Sequence, residues 1–302
     1  GATIRGIVFD GASEVADAIR IDDTVTGAPV VISGCTVRNY TNRFVYVSLS
    51  GKIESLTIDD CIFIGADNST TNKAIYASSA HTQVETLSVT NSTFLNFNTG
   101  SNYFFRINCG EELVLMPVVL IDHCTFYNCY DRRGVYLYNG RSTIKNCISA
   151  FSERRDDTKS FTAYGDESIV KNVISYNVDL YGSAPKENII SKNPLFVDAE
   201  NGNFQLYKDS PAVGAGDDGS DLGDPRWGVS TENAPVGELP YECFKNHTVC
   251  PRQPIRCVFF GRRWILIRLV RFIMGKHPIW DKSSQPRLVG MWTARDLCTS
   301  SN

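Results

Sequence analysis

One phrase recurs through the first 180 or so residues at intervals of 23 to 32 residues. It reads apolar-x-x-small-x-apolar, as in residues 32–37, 58–63 and 144–149. The copies are anchored at Ile7, Cys35, Cys61, Ser92, Cys124, Cys147 and Val173. The alternating apolar pattern around each anchor is typical of a short strand with one buried face. A unit of this length cannot bury that face alone, so the copies are expected to stack on one another.

A second short apolar stretch follows each of the first six anchors by ten to fifteen residues. These stretches are 19–21, 45–47, 75–77, 105–107, 135–137 and 161–163. Four residues after each anchor, six of the seven copies have Gly or Asn, which favours a turn of fixed geometry. Stacking like strands in parallel predicts an all-β fold: a single-stranded right-handed parallel β-helix of about seven or more rungs, about 4.8 Å apart.

The repeat ends near Trp227, and the composition of the chain changes there. We therefore expect two parts: a β-helix over residues 1–228 and a C-terminal extension over 229–302 that is irregular, poorly ordered or non-native. Within the extension, the pattern of residues 264–274 allows a basic amphipathic helix, which is too short and too charged to cross a bilayer, but the abrupt change in composition favours a poorly folded stretch instead. No transmembrane segment is expected. The chain begins inside a rung, as a fragment or a processed protein would.

The distribution of charge and the positions of the cysteines exclude several classes of protein. Residues 1–240 contain 19 Lys and Arg against 30 Asp and Glu, which argues against a nucleic-acid-binding protein. The anchor cysteines form one inward column, where free thiols behave as small apolar groups rather than as disulfides or zinc ligands. A monomer is expected.

The end of the repeat region carries a further ordered set of motifs, at residues 193–198, 202–206, 210–216 and 222–227. With the repeat, these motifs resemble the right-handed parallel β-helix superfamily of pectate-lyase-like polysaccharide lyases, over about residues 1–228. They are especially similar to secreted bacterial proteins with this fold. The resemblance implies a secreted or cell-surface location, extracellular or periplasmic, and an acidic polysaccharide as the partner.

The alternation of strand side chains predicts one outward column opposite the inward residues of the second stretches. That column is Arg20, Tyr46, Tyr76, Arg106, Tyr136 and Thr162. Exposed tyrosines interrupted by arginines suit an anionic sugar chain, because aromatic rings stack on pyranoses and guanidinium groups pair with carboxylates. The alternative is that the stacked aromatic residues only stabilise neighbouring strands.

The resemblance implies β-elimination on uronic-acid polymers, in which a cation neutralises the carboxylate and a side chain removes a proton. The predicted catalytic residues are Arg106, Arg132, Arg133, Tyr136 and Tyr138. The predicted substrate-binding residues are Tyr46, Tyr76, Arg106, Tyr136, Arg155 and Lys159. The Arg-x-Pro-x-x-Arg motif of pectate lyases is missing. A non-catalytic glycan-binding or structural surface-display β-helix therefore stays open.

Two further motifs have competing interpretations. The acidic segment from Asp217 to Asp224 has the spacing of a calcium loop but lacks the distant Glu, so a Gly-rich structural loop is favoured, and no metal ligand is assigned. Asp122-His123 resembles part of the Trp-Ile-Asp-His stretch of pectate lyases. The equivalent positions hold Asp59-Asp60 and Lys145-Asn146, which favours an ordinary turn.

Overall fold

The computed structural model describes residues 1–48, 51–65, 72–78, 83–97, 103–108, 116–129, 132–138, 140–154, 159–235, 255–260 and 263–268. The chain divides into two compact units, Gly1–Ala234 and Pro235–Asn302. The first unit is an all-β parallel solenoid, as the repeat predicted. In the described part of the chain the only helix is a short 3-10 turn at Ala199–Asn201. None of the described helical structure is long and apolar enough to cross a membrane.

About five turns of the solenoid consist of separate strands. In chain order they are β1 (Ala2–Arg5), β2 (Val8–Asp10), β3 (Asp17–Ile21), β4 (Thr24–Val25), β5 (Val30–Ser33), β6 (Thr36–Arg38), β7 (Arg43–Val47), β8 (Lys52–Asp59), β9 (Ile62–Ile64), β10 (Lys73–Ser78), β11 (Val84–Thr90), β12 (Thr93–Leu95), β13 (Phe105–Asn108), β14 (Val118–Asp122), β15 (Thr125–Tyr127) and β16 (Val135–Tyr138).

In the following turns the first two strands merge into one long strand. The long strands are β17 (Arg141–Ala150) and β19 (Ile169–Tyr176). The other strands of these turns are β18 (Lys159–Ala163), β20 (Asp179–Tyr181) and β21 (Lys186–Ile190). Like strands pair in parallel throughout, so β3, β7, β10, β13, β16, β18 and β20 form one seven-stranded sheet. The antiparallel pair β22 (Phe196–Asp198) and β23 (Asn203–Leu206) closes the first unit.

The second unit contains an antiparallel pair, β24 (Ile255–Phe260) and β25 (Arg263–Arg268). The amphipathic helix that the pattern allows over 264–274 is therefore wrong where it overlaps β25. Alternating Trp264, Leu266 and Arg268 satisfy a strand as well as a helix over so short a stretch. The rest of that stretch lies outside the described residues.

In-register stacking fills the interior with columns of like side chains. Phe63, Phe94 and Phe126 stack with ring centroids 5.0 and 4.8 Å apart. The anchor cysteines are buried free thiols, as predicted. Burial raises the pKa of Cys61 to about 12, so this thiol stays protonated and apolar at neutral pH.

Two columns of left-handed residues make the turns of each rung. The first contains Asn39, Asn96, Asn128 and Asn177, with φ between 53° and 59°, as the Asn pattern predicted. The glycines of that column act for another reason, since a Cβ on Gly65 would lie 2.5 Å from a backbone oxygen. The second column, between the first two strands of each rung, was not predicted. It comprises Gly34, Asp60, Asn91, His123, Asn146 and Asn172.

The acidic loop from Asp217 to Asp224 packs against the solenoid through its own carboxylates. Asp217 pairs with Lys171 at 2.9 Å and Lys145 at 3.3 Å, and accepts a hydrogen bond from Asn146 at 2.8 Å. Buried Asp224 accepts a hydrogen bond from Thr93 at 2.6 Å. In the described part of the chain no group of three or more His, Cys, Asp or Glu side chains is arranged to hold a metal ion. These contacts are those of a loop fastened to the solenoid.

Replacing Phe94 with Ala should lower the free energy of unfolding by about 3–5 kcal/mol, because the cavity would interrupt the phenylalanine column. Urea denaturation followed by circular dichroism measures this. Val15→Ala is the control, since Val15 is 50% exposed and its truncation should change stability by less than about 0.5 kcal/mol. Equal effects of the two substitutions would contradict the assignment of this column to the core.

Acid should loosen the loop through Asp217. Its hydrogen bonds with Lys171, Asn146 and Lys145 hold the pKa of this carboxyl well below its usual value. A lowered folded-state pKa contributes stability that is present above the unfolded pKa of about 3.9 and is lost as the pH falls below it. Asp217→Asn should therefore flatten the acid limb of the stability profile, measured as melting temperature between pH 2 and pH 7. The exposed Asp166→Asn should leave that limb unchanged, and identical profiles for the two variants would refute the role of Asp217.

Candidate functional site

The predicted outward column lies along one flank of the solenoid. Strand pairing aligns Arg20, Tyr46, Tyr76, Arg106, Tyr136 and Thr162 across six successive strands. The prediction that Thr162 faces outward is wrong, since its side chain is fully buried. Their inward neighbours Val45, Ile75, Phe105 and Val135 are fully buried in the core. The alternation of side chains in β7, β10, β13 and β16 therefore sends the intervening side chains to the outside of one sheet.

The tyrosines on this flank contact one another in an unbroken row that we call the tyrosine ladder. Its members are Tyr46, Tyr76, Tyr103, Tyr136, Tyr138, Tyr164 and Tyr181. Centroids are 6.0 Å apart from Tyr46 to Tyr76, 6.1 Å to Tyr103 and 6.0 Å onward to Tyr136. The ladder therefore continues through the rung where the outward column has Arg106 instead of tyrosine.

Tyr103 is the member that the sequence interpretation missed. It precedes the inward Phe105 by two residues, just as Lys73 precedes Ile75 in the previous rung. It therefore occupies the position at which neighbouring rungs place a cation. This two-residue offset from the inward residue is visible in the sequence and could have identified Tyr103 as a member of the ladder.

Each of four successive rungs supplies one tyrosine and one cation to this flank. Arg43 lies 3.5 Å from the Tyr46 ring centroid and Lys73 lies 5.9 Å from that of Tyr76. Arg106 lies 4.6 Å from Tyr103, and Arg133 lies 4.7 Å from Tyr136. In the third of these rungs the order of the two residues is reversed. All four distances are within the range of cation–π contacts.

The cations differ in how far carboxylates neutralise them. Arg43 is paired with Asp17 through two hydrogen bonds of 2.7 and 2.8 Å. Lys159 pairs with Asp179 at 3.2 Å, so this predicted binding residue already has an acidic partner. In contrast, among the described residues no carboxylate pairs with Arg106 or Arg133. Among the described residues, Arg106 and Arg133 thus differ from Arg43 and Lys159 in having no carboxylate partner.

In the guanidinium group of Arg106, one nitrogen has a hydrogen-bond partner and another has none among the described residues. Its Nη1 donates to the hydroxyl of Tyr103, which anchors the guanidinium over the ladder. Its Nε is buried and has no hydrogen-bond partner within the described part of the chain. An unpaired buried donor of this kind lowers the stability of the fold unless another group accepts a hydrogen bond from it.

The tyrosine ring faces are less available than predicted. Tyr103 and Tyr136 stack at an interplanar angle of 15°, so neighbouring rings cover much of their faces. Tyr136 is only 8% exposed, whereas Tyr138 is 38% and Tyr181 is 55% exposed. Stacking on a sugar ring is therefore open mainly to Tyr138 and Tyr181.

Burial raises the pKa of Tyr103, with a further contribution from neighbouring Tyr76. Tyr103 therefore keeps its proton at neutral pH, and its hydroxyl oxygen accepts the hydrogen bond from Arg106. Tyr136 and Tyr138 stay the predicted proton-transfer residues, and of these two the exposed Tyr138 is the more accessible. Arg132 and Arg133 are both exposed at the turn before β16. Arg155 lies outside the described residues.

Two family models match this chain. Residues 1–99 match a domain of unknown function, DUF4957, and residues 119–227 match another, DUF5123. The second match ends at Trp227, where the repeat also ends. No curated protein matches the chain at a significant level. The chain is thus similar, over these two stretches, to two families of unknown function.

Proposed function

We propose that the tyrosine ladder and its cations bind an acidic polysaccharide, on a right-handed β-helix related to the polysaccharide lyases. The observation that carries the proposal is the pairing of one tyrosine with one cation in each of four successive rungs. Rungs are about 4.8 Å apart, so the flank offers positive charge repeatedly along one line. A polymer with regularly spaced carboxylates or sulfates complements such a line. A secreted or cell-surface location belongs to the same proposal.

Arg106 and Arg133 are the residues best placed to hold the anionic groups. A guanidinium binds a carboxylate through two parallel hydrogen bonds, and neither arginine has a carboxylate partner among the described residues. The exposed ring of Tyr138 would stack on a sugar next to these charges.

A structural rod without a ligand explains part of the same face. Stacked aromatic residues on adjacent strands stabilise a sheet by themselves. Such a ladder does not need arginines that lack carboxylate partners, and like charges on neighbouring strands weaken a sheet. The arrangement of Arg106 and Arg133 therefore favours a binding surface.

Cleavage by β-elimination is the second candidate. The contact between Arg133 and Tyr136, 4.7 Å from the ring centroid, favours it, because a lyase places a carboxylate-neutralising cation beside groups that transfer protons. In this scheme Arg106, Arg132 and Arg133 would neutralise the carboxylate. Tyr136 or Tyr138 would take part in the proton transfer.

Replacing Arg106 with Ala should weaken binding to an acidic polysaccharide at least about tenfold, since a hydrogen bond to a charged group contributes about 1.5–3 kcal/mol. Isothermal titration calorimetry against polygalacturonate, alginate and a sulfated glycan, with a neutral polymer for comparison, measures the effect. Arg38→Ala is the matched control, because Arg38 is an exposed arginine of β6, in a different sheet. Equal affinities for the two variants, or no binding to any acidic polymer, would overturn the proposal.

Incubation with uronic-acid polymers tests cleavage separately. A β-elimination product contains a conjugated double bond, so its appearance is followed by near-ultraviolet absorbance. Tyr138→Phe should reduce that rate at least about 100-fold while leaving affinity nearly unchanged. The exposed Tyr181→Phe serves as the control in the same ladder. If binding is present and no polymer of a broad panel yields the product, the binding proposal stands and the lyase proposal fails.

A further inference from the structure

Two motifs that lie 97 residues apart in sequence meet on a different part of the solenoid. The Nε2 atom of His123, in the turn between β14 and β15, lies 2.7 Å from the Oγ atom of Ser220 in the acidic loop. The Nδ1 atom of the same ring lies 2.8 Å from Oδ1 of Asp122. Ser220, His123 and Asp122 are therefore joined in one line of hydrogen bonds.

The carboxylate at the end of this line is itself held in place. Asp122 accepts a hydrogen bond from Asn146 at 3.0 Å and pairs with Lys145 at 3.3 Å. It therefore fixes the imidazole with Nδ1 as donor and leaves Nε2 facing the serine. Carboxylate, imidazole and hydroxyl stand in the order that activates a serine nucleophile.

The left-handed backbone conformation at His123 does not require a histidine side chain. Its φ is 50°, and the equivalent turn residues of other rungs are Gly34, Asp60, Asn91, Asn146 and Asn172. Asn and Gly are the residues that adopt this left-handed conformation most readily. Asparagine would thus satisfy the turn, and the histidine adds a functional group there.

The serine and histidine open onto a groove of about 580 Å³ beside the solenoid. Its other walls are mixed, with the apolar Ile148, Phe204 and Trp227 beside the acidic Asp218 and Asp221. A concave surface on which polar groups converge beside apolar ones is the usual form of a small-molecule site. The tyrosine ladder lies on a different sheet, so this groove is independent of the proposed polysaccharide surface.

We propose that Ser220, His123 and Asp122 form a catalytic triad that hydrolyses carboxylic esters, with the acyl or alcohol group seated in this groove. Ser220 is the nucleophile, His123 is the general base and acid, and Asp122 is the positioning residue. The substrate class is an ester with an apolar portion that lies against the half-buried Trp227.

The reaction needs only the ester and water. Oγ of Ser220 bonds to the acyl carbon while its proton passes to Nε2 of His123. The ester C–O bond breaks, and the alcohol leaves with that proton. Water then attacks the acyl-serine and gives a proton to His123. The carboxylic acid departs as the proton returns to Oγ of Ser220.

Asp218 competes with His123 for the serine proton. Its Oδ1 lies 2.6 Å from Oγ of Ser220, and its Oδ2 lies 3.8 Å from Nε2 of His123. When the imidazole is protonated it donates to Ser220, which in turn donates to Asp218, and the serine is not activated. When the imidazole is neutral it accepts the serine proton. Catalysis therefore belongs to the neutral form of His123.

The charged groups facing the ring set the pH at which that form appears. The hydrogen bond to Asp122 raises the pKa of His123, and the charges of Asp122 and Asp218 raise it further, while burial and Lys145 oppose them. Hydrolysis should thus increase as the pH rises above 6.5, the usual value for the imidazole. Asp218→Asn removes one negative charge and should move the profile to lower pH. A purely structural role for these contacts would not produce this shift.

The test uses the whole chain with a fluorophosphonate probe and with p-nitrophenyl acetate. We expect a covalent adduct at Ser220, located by peptide mass spectrometry. Hydrolysis should fall at least about 100-fold in Ser220→Ala and in His123→Asn. The second variant keeps a residue suited to the left-handed turn, and circular dichroism and melting temperature verify its fold. Ser183→Ala, distant in sequence from the triad, should retain both labelling and hydrolysis.

Either of two results would overturn the proposal. One is a folded wild-type protein that is neither labelled at Ser220 nor faster than Ser220→Ala in ester hydrolysis. The other is labelling and hydrolysis that persist at the wild-type rate in a folded His123→Asn variant. Arg106→Ala should not affect ester hydrolysis, so failure of the polysaccharide proposal would leave this test unaffected.

Discussion

Parallel hydrogen bonding between successive rungs is the constraint on which the rest of this structure depends. Each strand pairs in register with the like strand of the next rung, so every side chain stands directly over its counterpart. A residue is therefore placed by its column rather than by its own preference. The interior becomes a stack of phenylalanines and thiols, and the exterior becomes a set of lines along which a chemical group repeats.

The same constraint penalises repeated charge. Cations at one column in adjacent rungs would lie about 4.8 Å apart and repel one another. Here Asp17 pairs with Arg43, and the neutral Tyr103 occupies the position between Lys73 and Arg133. Reversal of the tyrosine and the cation in this one rung keeps the aromatic stack continuous while it separates the positive charges. This accounts for both residues of the rung by a single electrostatic argument.

What could be predicted from the sequence follows from the same periodicity. The inward and outward columns through Tyr46 and Arg106 depend only on alternation and on the spacing of the repeat, and both are visible in the chain. Tyr103 was missed because it lies outside the alternating segment that starts at Phe105. The contact of His123 with Ser220 could not be predicted, since it depends on how a nonrepetitive loop folds back across the solenoid. The strand at Arg263–Arg268 was missed because six residues are too few to separate the two periodicities.

A column also shows which residues exceed what the backbone needs. The turn between the first two strands of each rung requires only a positive φ, and asparagine or glycine meets that requirement at Gly34, Asn91 and Asn172. Where a rung has a different residue at this position, its side chain makes contacts outside the turn. Asp60 accepts a hydrogen bond from Arg226 of the C-terminal loop, and His123 is hydrogen-bonded to Ser220 of the same loop. The nonrepetitive loop thus contacts the solenoid at both turn positions where the repeat departs from Asn and Gly, as it also does at Asn146. Of the two departures, only His123 carries a group able to move a proton near neutral pH.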